Sequence, residues 1–306
     1  MIQYYKKDNK NKVMIELKDY SKGSWVYVTD PDKEEIDFLV KEFDLDKDLI
    51  LDGLDIFEIP RLEVEKNSSY IYLRIPTNNI ENEHTASFLV IVKENLVITI
   101  CDSKIELFDR LFKTKKNFFT YHGGRDFLNI LFILSSKYSY WIRMISKEVK
   151  KERRNLEKLK SRDILKLSLQ EDILNDYLSS LEPLRDLNNA LVRSKHLNFQ
   201  DDEKDFILDL NIDIDQTISL CKSSLKSITN MRDYYSTILS NTQNQILKTL
   251  TIFTVFLTIP MIMTGLFGMN VHLPFQDDSN AFIMVIFTTM LIMTIAYLFL
   301  KKTKIL

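Results

Sequence analysis

Along the first hundred residues apolar and polar positions mix in short runs, and toward the C-terminus they separate into long blocks. Runs rich in β-branched and aromatic residues predict strands over Trp25–Val28, Ser69–Ile75, Phe88–Val92 and Leu96–Ile100, the last two joined by a Lys93-Glu94-Asn95 turn. A helix is expected between the first two. Asp30 supplies its cap, Pro31 its first helical position, and Ile36, Leu39, Val40 and Phe43 recur at helical spacing.

The middle of the chain predicts long helices. No glycine occurs between Gly124 and Gly265, and Pro183 and Pro260 are the prolines of that stretch. Leu174, Leu178, Leu181, Leu184 or Arg185, Leu187 and Leu191 keep a three-four rhythm, and the mixed charges of Lys147–Lys160 read as a solvated face. A similar rhythm runs from Phe206 through Ile218, Leu225, Tyr234 and Leu239 without a breaker until Pro260, so the last soluble helix is expected to continue into the first apolar block.

Two apolar blocks close the chain. Thr249–Gln276 contains no Asp, Glu, Lys or Arg, and Ala281–Leu300 is twenty consecutive uncharged, mostly apolar residues. Twenty helical residues rise about 30 Å, the thickness of a bilayer's hydrocarbon core, so both blocks predict membrane spans. The fold class expected is an α+β cytoplasmic domain with long α-helices, followed by two C-terminal transmembrane helices. Its divisions are an α/β domain over 1–125, a long-helix region over 126–248, a first span over 249–270, an outer loop over 271–280, a second span over 281–300 and a tail over 301–306.

Charge gives an orientation. Lys301, Lys302 and Lys304 follow the second span directly, whereas Val271–Asn280 has no Lys or Arg and carries Asp277 and Asp278. The positive-inside rule then puts the basic tail and the N-terminal domain in the cytoplasm and the short acidic loop outside. Met1–Lys12 is polar and lysine-rich and does not read as a cleaved secretory signal. Over the whole chain 41 Lys and Arg against 43 Asp and Glu leave a formal charge of -2, which gives nucleic acid no basic field to bind. The two cysteines, Cys101 and Cys221, form neither a disulfide framework nor a zinc-ribbon spacing.

Within the first span Leu247, Leu250, Thr254, Thr258, Met261 and Gly265 fall on one helical stripe, which continues below through Asn244 and Ser240 with Asp233 near it. Such a stripe has two readings. It lines a pore, with Leu247, Leu250 and Met261 as apolar constrictions and Thr254, Thr258 and Gly265 offering hydroxyls or bare backbone, or it makes ordinary helix contacts in the membrane. Other chemistry finds no actor. The run Asp209–Asp215 imitates a calcium loop but lacks its glycine and has Leu220 where the bidentate glutamate belongs. His84, His122, His196 and His272 are scattered, and no phosphate-binding loop, dinucleotide fingerprint or metalloprotease motif occurs, so no enzyme activity and no organic cofactor are expected.

Gly268-Met269-Asn270, at the outer end of the first span, resembles the GMN signature of the CorA family of magnesium transporters, and Ile259–Phe267 is similar to that family's helix before the signature. Trp25-Val26-Tyr27-Val28, Asp52 ahead of Pro60-Arg61-Leu62-Glu63, and Leu181-Glu182-Pro183-Leu184-Arg185 resemble its cytoplasmic segments. The resemblance implies a homopentamer in the cell membrane, with the first spans lining a central pore and Gly268, Met269 and Asn270 forming its outer selectivity filter. It implies Mg2+ as cargo, with Co2+ and Ni2+ as further cargo, entering down the membrane potential. Asp233 and Asn244 match the family's cytoplasmic-side pore residues. Asp52 matches a regulatory acid that binds Mg2+ between subunits with a partner acid on the long helix, for which Asp209, or Asp213 with an insertion, is the candidate. The sequence departs from the family at Phe267, where tyrosine is usual, and over Val271–Gln276, where many members carry an acidic loop. Two other readings are a zinc transporter on the same scaffold, disfavoured by Met269, and a membrane-anchored, non-conducting metal sensor or scaffold, which would need neither the stripe nor Asn270.

Overall fold

A computed structural model of the protein describes residues 1–7, 14–77, 84–93, 96–102, 123–156, 160–194, 197, 199–270 and 280–302. Described elements follow in chain order as β1 (Ile2–Lys7), β2 (Met14–Leu17), β3 (Trp25–Thr29), α1 (Lys33–Phe43), α2 (Lys47–Asp52), β4 (Arg61–Glu65), β5 (Ser68–Pro76), β6 (Thr85–Lys93), β7 (Leu96–Cys101), α3 (Gly123–Arg153), α4 (Ser161–Arg193), α5 (Asp201–Phe267) and α6 (Ala281–Lys302). They form two compact units, Met1–Met231 and Arg232–Leu306. Glu94 and Asn95 of the expected turn, most of the expected outer loop (271–279) and Lys304 of the tail lie outside the described residues.

The first unit is built on a seven-stranded sheet of order β2-β1-β3-β7-β6-β5-β4, parallel between β3 and β7 and antiparallel elsewhere. Both faces of its centre are buried, which is why the four predicted strands read as nearly unbroken apolar runs. Side chains alternate between the faces. Ile71, Leu73, Phe88 and Val90 enter a core shared with α3, α4 and α5, while Tyr70, Tyr72, Leu89 and Ile91 enter a second core with α1 and α2. The sheet is therefore a central layer with short helices on one face and long ones on the other.

Helix α1 corrects the expected start. Its cap is Asp32, whose carboxylate accepts the Glu35 N–H at 2.8 Å while Glu35 accepts the Asp32 N–H at 3.2 Å. Asp30 instead sits at a positive φ of 43°, and Pro31 precedes the helix. The reason is local. With Asp30 as the cap, Lys33 would stand at the third helical position and would have no oxygen for the returning bond, whereas Glu35 completes the reciprocal pair.

Between α4 and α5 the packing is pinned by polar groups as well as by Leu174, Leu181, Leu184, Leu187 and Leu191, which settles Leu184 rather than Arg185 as the inward residue. Asn188 donates to Asn211 at 3.0 Å, and Asn211 donates to Asn189 at 2.9 Å. Lys222–Glu182 at 2.7 Å and Arg185–Asp215 at 3.5 Å tie the same helices outside the core. Both cysteines are buried, and burial pushes the Cys221 thiol up to about 12, so it stays protonated.

Candidate functional site

The apolar part of α5 carries the predicted stripe. The helix runs unbroken through Pro260, whose missing N–H would have bonded a carbonyl one turn back, and ends at Phe267. In the second unit the half-covered residues of each described helix fall on one face. On α5 they are Ile252, Val255, Phe256, Ile259, Pro260 and Met263; on α6 they are Ala281, Val285, Thr289, Met293, Ala296 and Leu300, spaced by three and four. At 100° per residue the stripe of Leu247, Leu250, Thr254, Thr258, Met261 and Gly265 lies roughly opposite α5's half-covered face. All six of its residues are exposed. Asp233, Ser240 and Asn244 are likewise exposed on the same helix.

The threonine hydroxyls on the stripe have a defined sense. Thr254 Oγ1 donates to the Leu250 carbonyl at 2.9 Å and Thr258 Oγ1 to the Thr254 carbonyl at 2.7 Å. With their hydrogens turned back onto the helix, the oxygens present lone pairs outward, suited to accept from the water shell of a cation. Gly265 has open space where a Cβ would be. Gly268 does not: a Cβ there would lie 3.1 Å from the Thr264 carbonyl oxygen, which also accepts the Gly268 N–H at 2.9 Å. Met269 N–H reaches the Leu266 carbonyl at 3.5 Å, and Asn270, exposed, is the last described residue before the loop. The tripeptide Gly268-Met269-Asn270 is thus the turn that follows the helix rather than its last turn. Lys301 and Lys302 form the last turn of α6.

A second constellation surrounds Asp52 at the end of α2. Asp46 caps this helix by accepting the N–H groups of Asp48 and Leu49. Gly53 follows Asp52 and touches the sheet: a Cβ on it would stand 2.7 Å from a Leu89 methyl. Arg61, the first residue of β4, reaches back with three N–H groups to three carboxylates. Nη2 meets Asp52 at 3.1 Å, Nε meets Glu63 at 2.7 Å and Nη1 meets Glu58. The guanidinium also lies 4.3 Å from the centre of the Tyr72 ring, and the Tyr72 hydroxyl donates to the Leu49 carbonyl at 3.0 Å. Burial, followed by the nearby Glu63 carboxylate, holds the Tyr72 phenol well above its usual range, so it remains a donor. Asp209 and Asp213 are exposed on α5, and no group of three or more His, Cys, Asp or Glu able to hold a metal occurs among the described residues. One chain by itself does not bring Asp52 and Asp209 into such a group.

Exposed apolar residues flank both acids. Leu51, Phe57 and Ile59 lie around Asp52, with Phe57 79% exposed, and Leu208 and Ile212 flank Asp209 and Asp213. The sequence reading nominated Asp52 and the stripe and assigned no role to Arg61, Glu58, Glu63 or Gly53. The one available signal was the alternation of acid and base over Glu58–Glu63, which has no meaning until β4 is placed beside the end of α2.

Residues 20–302 match the family of CorA-like Mg2+ transporter proteins. The chain is 29% identical over 299 residues to the cobalt/magnesium transport protein CorA of Methanocaldococcus jannaschii, covering 94% of this chain and 93% of that protein. Its fold superposes on the complete structure of the CorA magnesium transporter from the same organism with a TM-score of 0.83 and 25% identity, over 98% of this chain and 97% of that one. The ZntB cytoplasmic domain from Vibrio parahaemolyticus shares the fold, with a TM-score of 0.62 and 9% identity over 78% of this chain and 98% of that one. With the match spanning both compact units and the tripeptide that follows α5, the chain belongs to the CorA-like Mg2+ transporter family.

Proposed function

We propose that this chain is the subunit of a homopentameric channel that admits Mg2+, with Co2+ and Ni2+ as further cargo, across the cell membrane. The observation that carries the reading is the exposed stripe of α5, opposite the half-covered face of the same helix and leading to Asn270. Spans over 249–270 and 281–300 put the stripe of five copies around one axis. Leu247, Leu250 and Met261 form its apolar constrictions, Thr254, Thr258 and Gly265 its wetted positions, and Asp233 and Asn244 its cytoplasmic side. Gly268, Met269 and Asn270 make the outer filter. Mg2+ sheds water reluctantly, so a ring of neutral amide carbonyls recognises the ion through its hydration shell without stripping it. Met269, a soft thioether, packs rather than coordinates a hard ion. A divalent ion gains about 4.6 kcal/mol per 100 mV on moving inward, so no further energy source is required. The basic tail of Lys301, Lys302 and Lys304 keeps both termini in the cytoplasm.

Regulation fits the acids of the soluble unit. Carboxylate oxygens are the hard ligands Mg2+ prefers, and Asp52 and Asp209 each sit among exposed apolar residues, as two halves of a head-to-tail contact between copies do. Internal Mg2+ held between Asp52 of one subunit and Asp209, or Asp213, of the next stabilises one arrangement of the ring by mass action. The relatives' names support Mg2+ and Co2+ as cargo, whereas the likeness to ZntB, at 9% identity, speaks for the fold alone. Side-by-side uptake of Mg2+ and Zn2+ into liposomes holding the purified protein tests the assignment. Saturable Mg2+ uptake is expected; uptake of Zn2+ alone would overturn it in favour of the zinc reading, and uptake of neither ion would favour a sensor or scaffold.

A further inference from the structure

We propose that Arg61 is a tethered competitor for the divalent cation at Asp52, a built-in positive charge that sets how much internal Mg2+ is needed to occupy that carboxylate. The inference rests on the reading of Asp52 as a metal-holding acid.

The geometry distinguishes the three carboxylates around the guanidinium. Glu58, with its side chain 16% exposed, and Glu63, 38% exposed, hold Arg61 through Nη1 and Nε, and Tyr72 covers one face of the group at 4.3 Å. Asp52 is the outermost, 50% exposed, and its 3.1 Å contact is the longest of the three. A divalent ion therefore reaches Asp52 first and can displace that contact while Glu58, Glu63 and Tyr72 keep the guanidinium where it is. The ion then binds beside a cation that cannot swing away. Arg61 acts twice: it occupies Asp52 when the ion is absent, and it repels the ion when it is present. Both effects lower the affinity of Asp52, the direction a sensor needs if it is to empty when internal Mg2+ falls. With a unit charge about 6 Å from a divalent ion in a water-like dielectric, the repulsion alone corresponds to about tenfold in affinity. A purely structural role for Arg61, ordering residues 53–60, predicts a loss of stability without any gain in Mg2+ affinity, which separates the two.

The test is the melting temperature of the purified full-length protein as a function of Mg2+ concentration, which reads binding through the stability it adds. In Arg61→Gln, and in Arg61→Met, which keeps the stem against Tyr72, the concentration giving half the stabilisation is expected to fall about tenfold. Arg61→Lys, which retains the charge, should stay within about threefold of wild type on the same electrostatic argument. Asp52→Asn should remove most of the stabilisation, and Asp52→Asn/Arg61→Gln should follow Asp52→Asn. If Asp52→Asn abolishes stabilisation while both charge-removing variants keep the wild-type midpoint, the competitor role is overturned and the metal-holding reading of Asp52 stands. Should Asp52→Asn leave the midpoint unchanged, both fall together.

Discussion

Two glycines differ in what surrounds them, and each difference is a prediction about a single atom. A methyl at Gly53 would stand 2.7 Å from the Leu89 side chain, inside the core beneath α2. Gly53→Ala is therefore expected to destabilise the protein by about 1–3 kcal/mol, the usual cost of overpacking a filled site. A methyl at Gly265 meets open space within its chain, so Gly265→Ala should leave the melting temperature near wild type and alter ion flux instead, because only a second copy or the ion path can feel it. Equal melting losses in the two variants would contradict the separation. Asp52 was singled out in the sequence because its spacing to Pro60-Arg61-Leu62-Glu63 resembles a CorA-family segment. Gly53 and Arg61 were not, since each matters through Leu89 or through acids brought close only when the sheet forms.

At the scale of elements, legibility follows burial. The four strands at or beside the sheet's centre, buried on both faces, are mostly apolar and were read directly. Strands β1, β2 and β4 were missed. They lie at or near the sheet's edges and carry Lys6, Lys7, Glu16, Glu63 and Glu65, the charges that keep an edge from pairing with another chain and that also erase the strand pattern. The short helix α2 was missed for a related reason: six residues are too few for a helical period to emerge. The long helices were legible because three-four spacing over many turns has no competing explanation. The misplaced start of α1 shows that a cap is a pair of residues. Asp32→Ala should cost about 1 kcal/mol of stability in chemical denaturation, while Asp30→Gly, at a position with φ of 43°, should be neutral or slightly stabilising. The reverse ranking would restore Asp30 as the cap.

For the whole molecule, the sequence supplied a chain with two kinds of surface. The soluble unit buries its strands between helices on both faces, whereas the apolar surfaces of α5 and α6 stay open, and no residue of α6 is buried. In the proposed membrane setting lipid covers such surfaces, and the exposed stripe with its threonine oxygens is the part that lipid suits least. Leu51, Phe57 and Ile59 around Asp52, and Leu208 and Ile212 around Asp209, extend the same logic to the soluble unit. In the proposed pentamer these surfaces are the ones that further copies of the chain cover. Residue spacing gave the stripe itself but not its role, because a stripe of threonine, leucine and glycine suits a membrane contact as well as a pore.

The most direct measurement is Mg2+ entry into liposomes holding the full-length protein, read by an enclosed fluorescent indicator under an inside-negative potential, for wild type and Asn270→Ala at equal assembled protein. The account predicts saturable, potential-dependent entry in the wild type and its loss in Asn270→Ala. Equal entry in the two proteins would contradict the placement of the ion path at the end of α5.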